Sequence, residues 1–117
     1  MKKILAILLT SLIFVQSLFA QDKSNRGKEF WLGYGFNYTF FNEPPVNQQE
    51  MALYISTELP ATVTVSINST GWTQTLNIPA NTVNATILIP KSGPNDARIL
   101  TDGLSTRGIH IVSDVPV

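Results

Sequence analysis

The sequence predicts an all-β fold, an antiparallel β-sandwich, and three observations lead to this fold class. Residues 61–90 alternate apolar side chains with Thr, Ser and Asn at a period of two, and successive side chains of a strand point to opposite faces. A helix, with its period of 3.6, would instead scatter the same apolar side chains around its axis. Short turns containing Asn, Gly or Pro separate the runs, as they do between antiparallel strands.

Residues 1–20 are predicted to be a signal peptide that precedes this domain. Lys2 and Lys3 form a positive start, Ile4–Val15 is an apolar run, and cleavage is expected after Ala20. The alternative is a membrane anchor that stays attached, but the run is shorter than the roughly 18–20 residues that span a bilayer. A bacterial lipid anchor is excluded because the chain has no cysteine.

Charge and cysteine content narrow the possible partners and the sources of stability. After Ala20 the chain has six basic and eight acidic residues, a net charge of −2. This weak acidity gives no electrostatic reason to expect nucleic acid or an anionic membrane as a partner. Because no cysteine is available for disulfide bonds, the buried core must stabilise the domain alone.

A flexible leader is predicted at residues 21–28, and the first strand at Glu29–Tyr38. Most aromatic side chains of this strand fall on one face, whereas Trp31, Gly33 and Gly35 fall on the other. Glycines two residues apart leave a bare surface where a backbone or a large ring can lie close. A core strand with a bulge is the preferred interpretation, and a ligand shelf is the alternative.

A loop at residues 39–49 leads to the second predicted strand, Met51–Thr57. The runs Ala61–Ile67, Trp72–Ile78 and Val83–Ile89 then form a three-stranded antiparallel meander, because only short turns join them. The side chains expected to face the core are Val63, Val65, Ile67, Trp72, Leu76, Ile78, Val83, Ala85, Ile87 and Ile89.

The remaining residues contain one more strand, Gly108–Ser113. Before it, Asn95–Leu100 is either a helical turn capped by Asn95 or a short irregular strand. The sequence stops at Val117, shortly after this strand, so we expect the domain at residues 29–117 to be incomplete at its C-terminus and part of a longer protein.

No catalytic residue is predicted. His110 is the only histidine, which excludes multi-histidine metal sites and weakens any catalytic triad. It shares a strand face with Val112, and a half-exposed structural histidine is the preferred interpretation. The carboxylates are dispersed, with no sign of the facing pair that a glycosidase requires.

A calcium site is the remaining metal candidate, formed by Asp96 and Asp102 in neighbouring turns. Their spacing does not match an EF-hand loop, and the preferred interpretation is that Asp96 pairs with Arg98 or Arg107, or accepts backbone N–H bonds in its turn. Asn68 lies in a predicted turn within an Asn-Ser-Thr triplet. It is a glycosylation candidate only if the host is eukaryotic.

Three aromatic residues, Trp31, Tyr54 and Trp72, are the candidate ligand-binding residues, because exposed aromatic side chains contact sugars and proteins well. Core packing is the alternative, and at least two of the three are expected to be core residues. No cofactor is predicted.

The segment Gly27–Gly33, GKEFWLG, resembles the start of the IgGFc-binding protein N-terminal domain family, which has the form G-[KR]-E-F-W. Leu53–Ser56 and Ala61–Val65 resemble the body of that domain. Gly108–Val117 resembles its closing motif, K-G-I-x-I-x-S-D-x-P-V, with Arg107 in place of the lysine. The resemblance covers nearly the whole chain after the leader but only the front part of the family's domain.

The resemblance implies a non-catalytic binding or adhesion module, secreted or at the cell surface, that recognises an extracellular protein or glycan. Versions in Bacteroidetes-type bacteria often precede adhesion-like modules and a gliding-motility-associated sorting domain, so further domains are expected. The family's name refers to the Fc part of immunoglobulin G, and no residue here is matched to that ligand. The alternatives are the N-terminal part of a secreted carbohydrate-active enzyme and a structural spacer domain.

Overall fold

The computed structural model describes residues 25–35 and 49–117. Within these ranges the regular elements are six strands and one short 3₁₀ turn at Gly93–Asn95. The strands are β1 Glu29–Leu32, β2 Met51–Thr57, β3 Ala61–Ile67, β4 Thr73–Ile78, β5 Thr82–Ile89 and β6 Ile109–Ser113. The prediction of an all-β fold is confirmed.

The strands form two antiparallel sheets that pack as a sandwich. A four-stranded sheet has the order β1-β6-β3-β4, and a two-stranded sheet consists of β2 and β5. The inner faces of both sheets contribute to one hydrophobic cluster, as expected for two layers around a shared core.

The core follows the predicted alternation along each strand. In β3, Val63, Val65 and Ile67 are at most 1% exposed, and full burial of such a side chain contributes about 1.5–3 kcal/mol. Ile87 is buried in the same way from the opposite sheet. Val83, also predicted to face the core, is instead 84% exposed. It lies at the start of β5 and lines a groove that is open to solvent.

The predicted three-stranded meander is wrong in its last strand. β3 and β4 pair as predicted, but β5 leaves their sheet and pairs with β2, so that Leu53 lies opposite Ile87. The turn before β5 is anchored elsewhere, because the Asn81 N–H donates to the Glu58 carbonyl at 3.2 Å. Alternation determines which face of a strand is buried, but it does not determine which strand lies beside it.

The first strand is shorter than the predicted Glu29–Tyr38. β1 ends at Leu32, and Tyr34 forms only an isolated parallel bridge with Arg98. A Cβ atom added to Gly33 would lie 3.1 Å from Ile99 Cδ1. The space beside this glycine is therefore taken by a neighbouring segment of the chain. Residues 36–38 of the predicted strand lie outside the described residues.

Backbone pairing extends beyond β1 into the predicted leader. Gly27 and Val117 exchange two backbone hydrogen bonds of 3.0 and 3.1 Å, and the Ser113 N–H donates to the Lys28 carbonyl at 2.8 Å. The last residues of the segment 21–28 are thus held against the chain's other end.

The helical turn lies earlier than predicted, at Gly93–Asn95, so Asn95 ends it instead of capping its start. The bridge of Arg98 agrees with the irregular-strand alternative for the residues that follow. The predicted signal peptide at residues 1–20 lies outside the described residues. Across residues 25–35 and 49–117, no helix has the length and hydrophobicity needed to cross a bilayer.

Candidate functional site

The outer face of the four-stranded sheet carries the best candidate site. Trp31 lies opposite His110, His110 opposite Ser66, and Ser66 opposite Thr73. Paired residues of antiparallel strands share a face, so these side chains form one row across all four strands. Glu29 stands beside the row, in contact with His110. We call these five residues the Trp31 surface.

A ring stack holds Trp31 in place. Its indole lies almost parallel to the His110 imidazole, with an interplanar angle of 12° and a centroid distance of 4.1 Å. Such pairs contribute about 0.5–1.5 kcal/mol beyond the area that they bury. Trp31 is nevertheless 58% exposed, although the imidazole covers one face of the indole and a Cβ atom added to Gly108 would lie 3.4 Å from its Cε3 atom.

Glu29, which lies two residues before Trp31 on the same face of β1, contacts the His110 imidazole. Its Oε1 atom lies 2.8 Å from His110 Nε2, which is hydrogen-bonding distance. The Glu29 side chain is 63% exposed and that of His110 is 27% exposed. The second carboxylate oxygen of Glu29 makes no hydrogen bond within the described residues.

Hydroxyl and amide side chains cover the rest of this face. Thr64 Oγ1 lies 3.0 Å from Thr75 Oγ1, and Thr62 Oγ1 donates to Asn77 Oδ1 at 3.2 Å. Such cross-strand bonds fix the side chains that make them. The Ser66 hydroxyl, next to His110 in the row, makes no hydrogen bond in the part of the chain that is described.

The other two candidate aromatic residues lie away from this surface. Tyr54 is 71% exposed on β2, in the two-stranded sheet. Trp72 precedes β4, is half-buried and packs against the core. The three residues therefore do not meet in one site. The expectation that at least two of them are core residues is wrong, because Trp31 and Tyr54 occupy outward-facing positions of their strands.

Asp96, one of the two calcium candidates, has its carboxylate bound by an arginine side chain. Asp96 is ion-paired with Arg98, whose Nε and Nη2 atoms donate to Oδ1 and Oδ2 at 3.0 and 2.7 Å. Burial raises the pKa of the Asp96 carboxyl, but the Arg98 hydrogen bonds outweigh it and leave the pKa below its ordinary value. The predicted alternative for Asp96, pairing with Arg98, is thus confirmed. Residues 25–35 and 49–117 contain no group of three His, Cys, Asp or Glu side chains placed to hold a metal ion.

Asn68 lies in the turn between β3 and β4, as predicted, and is exposed. Its side-chain oxygen accepts a hydrogen bond from the Ser69 N–H at 3.0 Å, and Ser69 has a φ of 57°. Its use as a glycosylation acceptor stays a prediction that applies only in a eukaryotic host.

A groove of about 580 Å³ opens between the two sheets. Phe30 and Leu32 line it from β1, Leu53 and Ile55 from β2, and the ion pair of Arg26 with Glu58 adds a charged section. Its lining is mixed, because Asn25, Ser56 and Thr82 border it beside apolar residues that belong to the hydrophobic core.

Sequence reasoning identified Trp31 but missed Glu29 and His110 as its neighbours. Their positions depend on the pairing of β1 with β6, and Glu29 and His110 are 81 residues apart in the chain. The available signal was that alternation places Trp31 and His110 on the outer faces of their strands. Comparisons of this chain with protein-family models, curated proteins and solved structures gave no match.

Proposed function

We propose that this chain is an exported, non-catalytic binding module that recognises an extracellular ligand through the Trp31 surface. The observation that carries this proposal is that Trp31 is 58% exposed and yet stacked on His110. A large aromatic ring that is already immobilised loses little conformational entropy when a ligand covers it. Such rings therefore contribute strongly to affinity.

Two features of the sequence support the extracellular setting. Lys2, Lys3 and the apolar run Ile4–Val15 have the pattern of a signal peptide. The resemblance of Gly27–Gly33 and Gly108–Val117 to the IgGFc-binding N-terminal domain family adds a binding or adhesion role.

The scaffold also suits recognition. Binding surfaces built on strands are held more firmly than surfaces built on loops, and the Trp31 surface draws one residue or more from each strand of the larger sheet. The carboxylate of Glu29 contacts the imidazole of His110, and that imidazole is stacked on Trp31. This contact therefore helps to position the indole.

The test is to probe arrays of purified glycans and purified secreted proteins with the full chain, Trp31→Ala and Tyr54→Ala. Tyr54 is the matched control, since it is an exposed aromatic residue on the other sheet. We expect Trp31→Ala to weaken binding about tenfold or more and Tyr54→Ala to leave it unchanged. The free energy of unfolding in urea should differ from that of the parent by less than about 1.5 kcal/mol for both variants, because neither side chain is part of the core.

Other outcomes point to the alternatives. Binding that survives Trp31→Ala would place the ligand elsewhere on the molecule. A folded chain that binds nothing on either array would favour a structural spacer. Release of soluble oligosaccharides from a polysaccharide panel by the full chain would favour a carbohydrate-active enzyme.

A further inference from the structure

We infer that the ligand of the Trp31 surface is a neutral oligosaccharide. This inference rests on the proposed function and names the ligand class for the same surface. It is carried by the chemistry of three groups that the sheet places together: an open indole face, an exposed carboxylate and a row of hydroxyl groups.

The indole of Trp31 matches the apolar face of a sugar ring. A pyranose ring presents C–H groups on its faces and hydroxyl groups around its edge. The face of an aromatic ring is electron-rich and attracts weakly positive hydrogens. Trp31 is 58% exposed although the His110 imidazole stacks on one face of its indole, and the sugar ring is placed on the exposed part of the opposite face.

Glu29 matches the hydroxyl edge of the same ring. Its side chain is 63% exposed, and the carboxylate oxygen that does not contact His110 can accept a hydrogen bond from a sugar hydroxyl. Hydrogen bonds to a charged acceptor are about twice as strong as those between neutral groups. The same negative charge repels sulfate, phosphate and carboxylate groups, and the surface therefore selects neutral sugars.

The row of hydroxyl groups sets the length of the ligand. Ser66 lies on β3, two strands away from Trp31 on β1, and neighbouring strands are about 4.8 Å apart. A ligand that stacks on the face of Trp31 turned away from His110 must pass over the His110 ring to reach the Ser66 hydroxyl, a span of at least about 10 Å. This distance exceeds a single sugar ring, so the surface fits an oligosaccharide better than a monosaccharide.

The surroundings of Trp31 favour a sugar over a protein partner. The centre of a protein–protein interface is apolar and depleted in charge. Here the aromatic residue is bordered by Glu29 and His110, and hydroxyl-bearing residues follow on the next two strands. Among the described strands, Val112, 43% exposed, is the exposed aliphatic side chain of this face.

Fluorescence titration tests the inference directly, because the chain has two tryptophans and Trp72→Phe leaves Trp31 as the only one. We expect a saturable change in Trp31 emission when the full-length variant is titrated with at least one of four ligands: cello-, xylo-, malto- or chito-oligosaccharides. If Trp72→Phe impairs folding, calorimetry on the unmodified chain measures the affinities instead.

Three variants and one pair of ligands make the test more specific. Calorimetric affinity should fall about tenfold or more for Trp31→Ala and several-fold for Glu29→Ala, and it should not change for Tyr54→Ala. A sulfated form of the bound oligosaccharide should bind more weakly than the neutral form.

Three results would overturn the inference. Tighter binding of the sulfated form would contradict the preference for neutral sugars. Sugar binding that persists in Trp31→Ala would remove the ligand from this surface. If no oligosaccharide binds but a protein on the array loses affinity in Trp31→Ala, the ligand class is wrong while the proposed function stands.

Discussion

Two buried hydroxyl residues of the core differ in whether their hydroxyl groups are hydrogen-bonded. Thr57 is 6% exposed, and its Oγ1 donates to the Leu59 carbonyl at 2.7 Å. Ser113 is 5% exposed, and its Oγ atom is a buried side-chain polar atom with no partner within the described residues. A buried hydroxyl without a hydrogen bond destabilises the fold, whereas a bonded one contributes to stability.

Opposite effects are therefore expected at these two positions. Ser113→Ala should raise the free energy of unfolding by about 1 kcal/mol, because it removes an unsatisfied polar group. Thr57→Val, which keeps the shape of the side chain, should lower it by about 1 kcal/mol, because a hydrogen bond is lost. Urea denaturation followed by circular dichroism measures both changes. A loss of stability in Ser113→Ala would mean that its hydroxyl is bonded after all.

Asp96 gives the stability of the protein a defined dependence on pH. Its pKa in the folded state lies below the ordinary value because of the hydrogen bonds from Arg98. A carboxyl with a lowered folded-state pKa stabilises the fold above its unfolded-state pKa of about 3.9. That contribution is lost as the pH falls through the folded-state pKa.

We expect Asp96→Asn to lower stability at pH 7 and to reduce the further loss on acidification below about pH 4. Asp102→Asn is the matched control, since Asp102 lies in an exposed turn and makes no ion pair within the described residues. Thermal melts between pH 2 and pH 7 provide the measurement. Identical pH profiles for Asp96→Asn and the parent would contradict the role of the Asp96–Arg98 pair.

At the level of elements, β5 shows what alternation can and cannot predict. The period of two correctly places Ile87 and Ile89 in the core, because burial of one face is a local property of the strand. The partner strand is not a local property, since β5 would bury the same face beside β4 or beside β2. The choice depends on the turn at residues 79–81 and its bond to Glu58, which alternation does not encode.

Engineered cysteines can test this pairing, because the natural chain has none. Tyr54 and Thr86 lie opposite each other on β2 and β5, and paired antiparallel residues have the Cα separation that a disulfide needs. The double variant Tyr54→Cys/Thr86→Cys should therefore close a disulfide on mild oxidation. Thiol titration and mass spectrometry check the result.

The matched control pairs Thr86→Cys with Thr75→Cys, the outward-facing position that a β4–β5 hairpin with the predicted core faces would bring opposite it. Thr75 lies in the other sheet, so this variant should keep two free thiols under the same conditions. Disulfide formation in the control but not in the test variant would show that β5 pairs with β4, as the predicted meander requires.

At the scale of the whole molecule, the two sheets are joined by the shared core and by a direct link. The Tyr34 hydroxyl, just beyond β1, donates to the Ala52 carbonyl on β2 at 3.1 Å. Burial raises the pKa of this hydroxyl, with a smaller contribution from Tyr54, so it remains a hydrogen-bond donor well above neutral pH. Side chains from both layers meet in one cluster, and neither layer can keep its inner face from water alone.

We therefore expect the sheets to unfold together in one transition. In Trp31→Phe, the fluorescence of Trp72 reports the core, and far-ultraviolet circular dichroism reports the strands of both sheets. The two urea midpoints should coincide. Separate midpoints would show that one layer persists after the other has unfolded.

The pairing of β1 with β6 also has a consequence for the order in which this protein folds. The two strands are neighbours in the sheet but far apart in the sequence, since the contacting residues Glu29 and His110 are 81 positions apart. In contrast, only a short turn joins β3 to β4. Long-range pairings close large loops at a high entropic cost and usually form late. Trp31 meets its imidazole only at this step, so incompletely folded chains lack the stacked ring on which the proposed binding function rests.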